Sequence, residues 1–279
     1  MSEIERRLDL LLEAHLKNLA GLHGKSRTNH NIFLQKISPT IADTSGLTRS
    51  LTSRLGNSLH RIARGLAVLR YGSEAVPPIL GHVDSVSATK NERDDDTIIR
   101  CTWDEQETRQ AATRLLREAG SRPDFKIGSS KFKKAYLETM DDLSHTKSTE
   151  PWTLRVDLVV LDPMIGICEL ESGGELDTSN VKGQPEKLIL AGLALGKPEL
   201  PLHFSLAYAN QGEGEPIRGG LPKYLTYQQE ASEHAGGLLI GEQWWNRVLP
   251  PDLDYEDFVQ AFQSKVAELD VVPPEYRPT

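Results

Sequence analysis

Residues 156–171 read V-D-L-V-V-L-D-P-M-I-G-I-C-E-L-E: two short apolar runs on either side of Asp162-Pro163, with Asp157, Glu169 and Glu171 set into them. Asp-Pro marks a turn. The first run is β-branched or apolar on both sides except at Asp157, as expected of a central strand covered on both faces. If Asp162, Pro163 and Met164 form the loop, residue 161 faces 165 and 157 faces 169, so Asp157 and Glu169 lie side by side across the ladder. Glu171 joins them because strand side chains repeat with a period of two. Three carboxylates in apolar surroundings repel one another and lose hydration, a cost that a divalent cation reverses. The stretch therefore reads as a metal site. An ordinary hairpin with partly exposed carboxylates is the competing reading, and Asp157 weighs against it as the sole polar residue between Val156 and Leu161.

This arrangement resembles the PD-(D/E)xK nuclease superfamily, in which an Asp and a Glu-x-Lys on adjoining strands hold magnesium beside the scissile phosphate. Here the motif is Asp157 followed by Glu169-Leu170-Glu171, with Glu171 in the place of the usual Lys. The resemblance implies an α/β fold, a mixed sheet flanked by helices, with Asp157 and Glu169 as Mg²⁺ ligands. Glu171 then serves as a further ligand, a general base or a brace for the attacking water. Lys182 and Lys187 in the next helix are candidates for the missing positive charge.

The resemblance extends over residues 156–269. After Glu171 come a helical segment at 185–195, a strand at 202–208 ending in Tyr208-Ala209-Asn210, the run Gly237-Leu-Leu-Ile-Gly-Glu-Gln-Trp-Trp-Asn-Arg, and an acidic-aromatic helix over 254–269. That order is similar to type II restriction endonucleases that cut interrupted palindromes of the GG-N-CC type. It implies magnesium-dependent hydrolysis of double-stranded DNA by a homodimer, each subunit cutting one strand of a two-fold symmetric site.

Composition accords with a soluble enzyme. The chain has 279 residues, enough to bury a substantial core. Cys101 and Cys168 are its two cysteines, too few for a disulfide framework and without a C-x-x-C pair, so a reducing cytoplasm is expected. No stretch approaches the roughly 20 apolar residues of a membrane span, and residues 1–7 lead into an amphipathic helix rather than a signal sequence. The net charge of −8 argues against general nucleic-acid coating but leaves room for a local basic groove.

Residues 45–73 offer such a groove: they hold no acid, and helical spacing sets Leu51, Leu55, Leu59, Ile62, Leu66 and Leu69 in one stripe with Arg54, Arg61 and Arg64 opposite. A phosphate-contacting face and a solvated surface helix are both compatible with that pattern. Further DNA-contact candidates are Lys131 and Lys133 in a basic stretch at 121–134, Lys182, and Arg218 and Lys223 in a Gly-rich loop. Trp244-Trp245 allows base stacking but fits core packing better. Helices are expected over 3–22, 29–37 and 102–119, a loop over 76–96, and a sheet beginning near Trp152. Residues 1–96 accordingly form an N-terminal helical region, for DNA contact or dimerisation, and 97–279 the nuclease core. Two other readings compete: a nuclease-like DNA-binding protein without catalysis, and a glycosidase-like carboxylate pair, for which no aromatic-rich cleft is visible.

Overall fold

The computed structural model describes residues 2–17, 19, 39–81, 97–171, 180–206, 221–226 and 236–269; for 39–54, 79–81, 171, 180, 181 and 206 it describes the backbone alone. The described chain is mixed α/β. In order it forms α1 (Glu3–Leu16), α2 (Pro39–Tyr71), β1 (Ile79–Gly81), β2 (Thr97–Cys101), α3 (Glu105–Ser121), α4 (Ser130–Ser144), β3 (Trp152–Val156), β4 (Leu158–Val160), β5 (Gly166–Glu171), α5 (Asn180–Leu195), β6 (Leu202–Leu206), β7 (Gly236–Ile240), α6 (Glu242–Val248) and α7 (Tyr255–Glu268). No described helix is long and apolar enough to cross a membrane.

Helix starts follow local chemistry. The carboxylates of Asp104 and Asp254 accept the Glu107 and Asp257 amides at 2.8 and 2.7 Å, each meeting one of the donors that a first turn leaves unpaired. Ser129 does the same for Phe132 in α4. The helix Ser130–Ser144 begins inside the basic stretch 121–134, for which the sequence pattern predicts no helix.

The chain divides into two compact units, one of residues 1–66 with 249–279 and one of residues 67–248. The units do not follow a division after residue 96. Such a cut would separate β1 from β2, which pair in parallel as Ile79↔Ile98, Leu80↔Ile99 and Gly81↔Arg100. It would also part α7 from α1, which are joined by Lys265 and Asp9 at 2.6 Å. Within the first unit, Leu59, Ile62 and Leu66 of the expected stripe are buried.

In the second unit strands form two ladders, β1-β2-β3 and β4-β5-β6-β7. β2 and β3 are antiparallel, so sheet structure begins well before Trp152. β4 and β5 are antiparallel, whereas β5, β6 and β7 run parallel, with α5 as the crossover between β5 and β6. One side of these strands, with Val156, Val159, Ile167, Phe204 and Leu238, shares a core with Leu115, Leu116, Phe132, Tyr136 and Leu188 of the helices. The other side is buried too: Leu158, Val160, Cys168, His203 and Leu239 are inaccessible. Gly166 opens β5 at φ +64°, and a Cβ there would strike the Pro201 backbone, so glycine lets β5 begin directly beside the entry to β6.

Candidate active site

The hairpin builds the site. Asp162 turns the chain, its carboxylate accepting the Met164 amide at 2.8 Å and its carbonyl the Gly166 amide at 2.9 Å. The ladder that follows pairs Leu158↔Cys168, Val159↔Ile167 and Val160↔Gly166. Continued by one step, this register sets residue 157 against 169, as the sequence predicts. Asp157 itself leaves the ladder. It occupies the bend between β3 and β4, and its Oδ2 accepts the Leu170 N–H at 2.7 Å.

Glu169 lies on β5 opposite Phe204 of β6, with 1% of its surface exposed. Its Oε2 accepts from Lys187 Nζ of α5 at 2.6 Å, and the same ammonium is 3.9 Å from Asp157 Oδ1. Glu169 Oε1 is buried and has no hydrogen-bond partner. Burial drives the Glu169 carboxyl well above the usual carboxylate range; repulsion from Asp157 adds to the rise and Lys187 opposes it.

Lys187 reaches this point because the adjoining turn of α5 is fixed on its other side. Thr113 of α3 donates its hydroxyl to Glu186 Oε1 at 2.5 Å, while Leu188, Ala191 and Leu195 anchor the helix in the core. Lys182 is exposed. Five residues away, it is rotated by about 140° on a regular helix and faces elsewhere. Of the two lysines considered for the vacant motif position, α5 therefore brings one to the carboxylates. The Glu171 side chain lies outside the described residues.

The arrangement has an incomplete charge balance. One ammonium faces two carboxylates, one of them buried with an oxygen left without a partner, and that oxygen suits a hard divalent cation. Among the described residues no cluster of three or more His, Cys, Asp or Glu is assembled that would hold a metal. The protein would supply Asp157 and Glu169, which fits Mg²⁺, an ion that usually keeps several waters.

The other candidates are dispersed. Lys131 is exposed on α4 and pairs with Asp124 at 2.5 Å. Lys133 is half-buried and not without a partner. Lys223 is exposed, 5.7 Å from the Tyr224 ring centroid. Arg61 and Arg64 are half-buried rather than projecting freely, and neither lacks a partner. The Arg54 side chain, Arg218, residues 29–37 and Ser172-Gly173-Gly174 lie outside the described residues. Trp244 and Trp245 are 0% and 2% exposed, so both are core and neither offers a face to a base. No protein-family model, curated protein sequence or solved structure matches the chain.

Proposed function

We propose that the chain is a magnesium-dependent endonuclease of the type II restriction class, hydrolysing phosphodiester bonds of double-stranded DNA. The observation that carries this reading is the convergence of Asp157, Glu169 and Lys187 at the break between β3 and β4. Two carboxylates and one ammonium are the chemical parts of the Asp, Glu-x-Lys motif, with the ammonium delivered from α5 instead of from β5. Strand order supports it further: the neighbours β2, β3 with β4, and β5 alternate in direction, then α5 leads to a parallel β6. That is compatible with the mixed, helix-flanked sheet of the PD-(D/E)xK superfamily.

A bound Mg²⁺ would neutralise charge developing at the phosphate and lower the pKa of a water there. The residues of the chain do the rest. Asp157 and Glu169 would hold the ion, and Asp157 is itself held by the Leu170 amide, so its carboxylate is oriented before any ligand arrives. Lys187, partly exposed, can exchange Glu169 for a phosphate oxygen and stabilise its negative charge. Glu171 positions the water or accepts its proton. The type II reading carries with it a homodimer acting on a two-fold symmetric site.

The test is a digest of mixed-sequence plasmid with purified protein in Mg²⁺ or EDTA, followed by sequencing of fragment ends. Mg²⁺-dependent fragments with a common end sequence are expected. Glu169→Ala should lose cleavage while duplex binding persists; strong residual cutting by that variant removes Glu169 from the mechanism. The second reading, a DNA-binding protein without chemistry, draws on the motif position where Glu171 replaces the usual Lys. Wild-type protein that binds duplex but never cuts it in Mg²⁺ decides for that reading.

A further inference from the structure

Although the chain carries a net charge of −8, residues 114–134 hold seven Lys or Arg against two acids, Glu118 and Asp124. They occupy the last two turns of α3, the connecting turn and the start of α4. Lys223 joins them in space: its ammonium stands 5.7 Å from the Tyr224 ring centroid, and that ring packs against Gly120 of α3.

The two acids are already neutralised. Asp124 pairs with Lys131 at 2.5 Å and with Arg122 at 3.5 Å, and Glu118 pairs with Arg122 at 3.8 Å. Among the described residues this leaves Arg114, Arg117, Lys126 and Lys223 without an ion pair, and Lys134 with a single 3.9 Å contact to Glu138. Arg114, Arg117, Lys134 and Lys223 are exposed.

The ligand must therefore be anionic, and burial narrows its class. Phe125 and Phe132, interleaved with the basic residues, are 4% and 2% exposed. Neither ring therefore offers a wedge to a bilayer or a face to an unpaired base, and the Tyr224 ring is taken up by Gly120 and Lys223. What remains is charge spread over two helix ends and a turn, which suits the closely spaced phosphates of a duplex. The surface is tied to the helix that carries Lys187: Thr113, immediately before Arg114 on α3, hydrogen-bonds Glu186 of α5.

We infer that the ends of α3 and α4, with Lys223, form the track on which a DNA duplex is held by its phosphates beside Asp157, Glu169 and Lys187. This deepens the nuclease reading and rests on it for the identity of the polyanion. Phosphate contacts position a duplex without reading its sequence, so the track supplies affinity and not site choice.

Fluorescence anisotropy of the full chain with labelled duplexes of unrelated sequence, in EDTA and over a series of KCl concentrations, tests it. Replacing Arg114, Arg117, Lys134 and Lys223 together by Ala should lower the slope of log affinity against log salt by about 0.9 per contact, roughly 3.6 in all, equally for every duplex. Arg117→Gln alone should lower it by about 0.9, and Lys131→Ala, already neutralised by Asp124, by much less. An unchanged slope in the fourfold variant, folded as judged by its melting curve, overturns the track; if wild type still cuts plasmid, the nuclease reading survives. Binding that depends on these residues, by a protein that does not cut, keeps the track and sinks the nuclease reading. Loss of binding to phosphatidylserine vesicles in the fourfold variant, with no duplex binding by wild type, overturns the assignment in favour of a membrane surface.

Discussion

Two lysines each face two carboxylates, and the burial of the partners is reversed between them. Lys265 of α7 has 5% of its side chain exposed and meets Asp9 at 2.6 Å and Glu268 at 2.7 Å, whose side chains are 44% and 64% exposed. Lys187 of α5 is 33% exposed and meets Glu169 and Asp157, at 2% and 16%. In the first case a buried cation is satisfied by anions standing in water. Its hydrogen bond to Asp9, then that to Glu268, holds the Lys265 ammonium above the ordinary lysine value. In the second, a buried anion is only half satisfied by a cation that reaches in from the surface. The first arrangement fastens α1 to α7; the second leaves a demand for more positive charge, which is how a ligand site differs from a lock.

Activity should break the symmetry most visibly. Lys187→Met is expected to lower DNA cleavage by about a hundredfold or more, as loss of a charge-stabilising group does, while Lys265→Met leaves it within about twofold after correction for folded fraction. Equal losses in the two variants, measured by single-turnover cleavage, would show that Lys187 acts through the fold alone. Glu171→Ala should impair cleavage severely, and Glu171→Lys should not rescue it, because a cation there competes with metal; near-normal turnover of Glu171→Ala would move the general-base role elsewhere.

Stability should differ next, and with opposite pH behaviour. The folded Glu169 carboxyl sits above its ordinary range, so its contribution is fully present below the unfolded value of about 4.3. That contribution is lost as pH rises through the folded value. Removing Lys187, which opposes the rise, should cost about 3 kcal/mol near pH 8 and little near pH 5, because a buried carboxylate left alone is expensive only when ionised. Lys265→Met should cost about 1 kcal/mol, since its carboxylates return to water. Urea titrations at both pH values test the contrast, and a pH-independent penalty for Lys187→Met would contradict it.

The smallest effect sharpens the point. Mg²⁺ well above its Kd should stabilise the wild type by roughly 1–3 kcal/mol through mass action, do nothing for Glu169→Ala, and act undiminished on Lys265→Met. A magnesium-induced rise in melting temperature that survives Glu169→Ala places the ion elsewhere.

The hairpin was legible because a strand period of two and one turn signal fix register, and register alone sets 157 beside 169. The buried halves of α2 were legible for the same kind of reason, periodicity. Lys187 was one of two candidates because choosing between it and Lys182 needs the angular phase of α5, which the contacts of Glu186 and Leu188 set and local sequence does not. β1 and β2 are hidden because Pro77-Pro78 and the charged run Asn91-Glu-Arg-Asp-Asp-Asp beside them read as loop, and α4 because its basic residues mask Phe132, Tyr136, Met140 and Leu143 on its buried side. The arginine face of α2 stays open between phosphate contact and solvation, because periodicity shows which side of a helix a residue takes and not what it meets there. His203 is core: burial first, then nearby Arg247, pushes its imidazole down to about 3, so it stays neutral.

The bend at Asp157 gives one carboxylate two employments. One oxygen ties down the amide of Leu170, and the other faces Lys187. An Asn at this position would keep an oxygen for the amide while giving up the negative charge. Charge and architecture are thus separable here by exchanging a single oxygen for an NH₂ group: the tie to Leu170 can stay while the anion facing Lys187 goes.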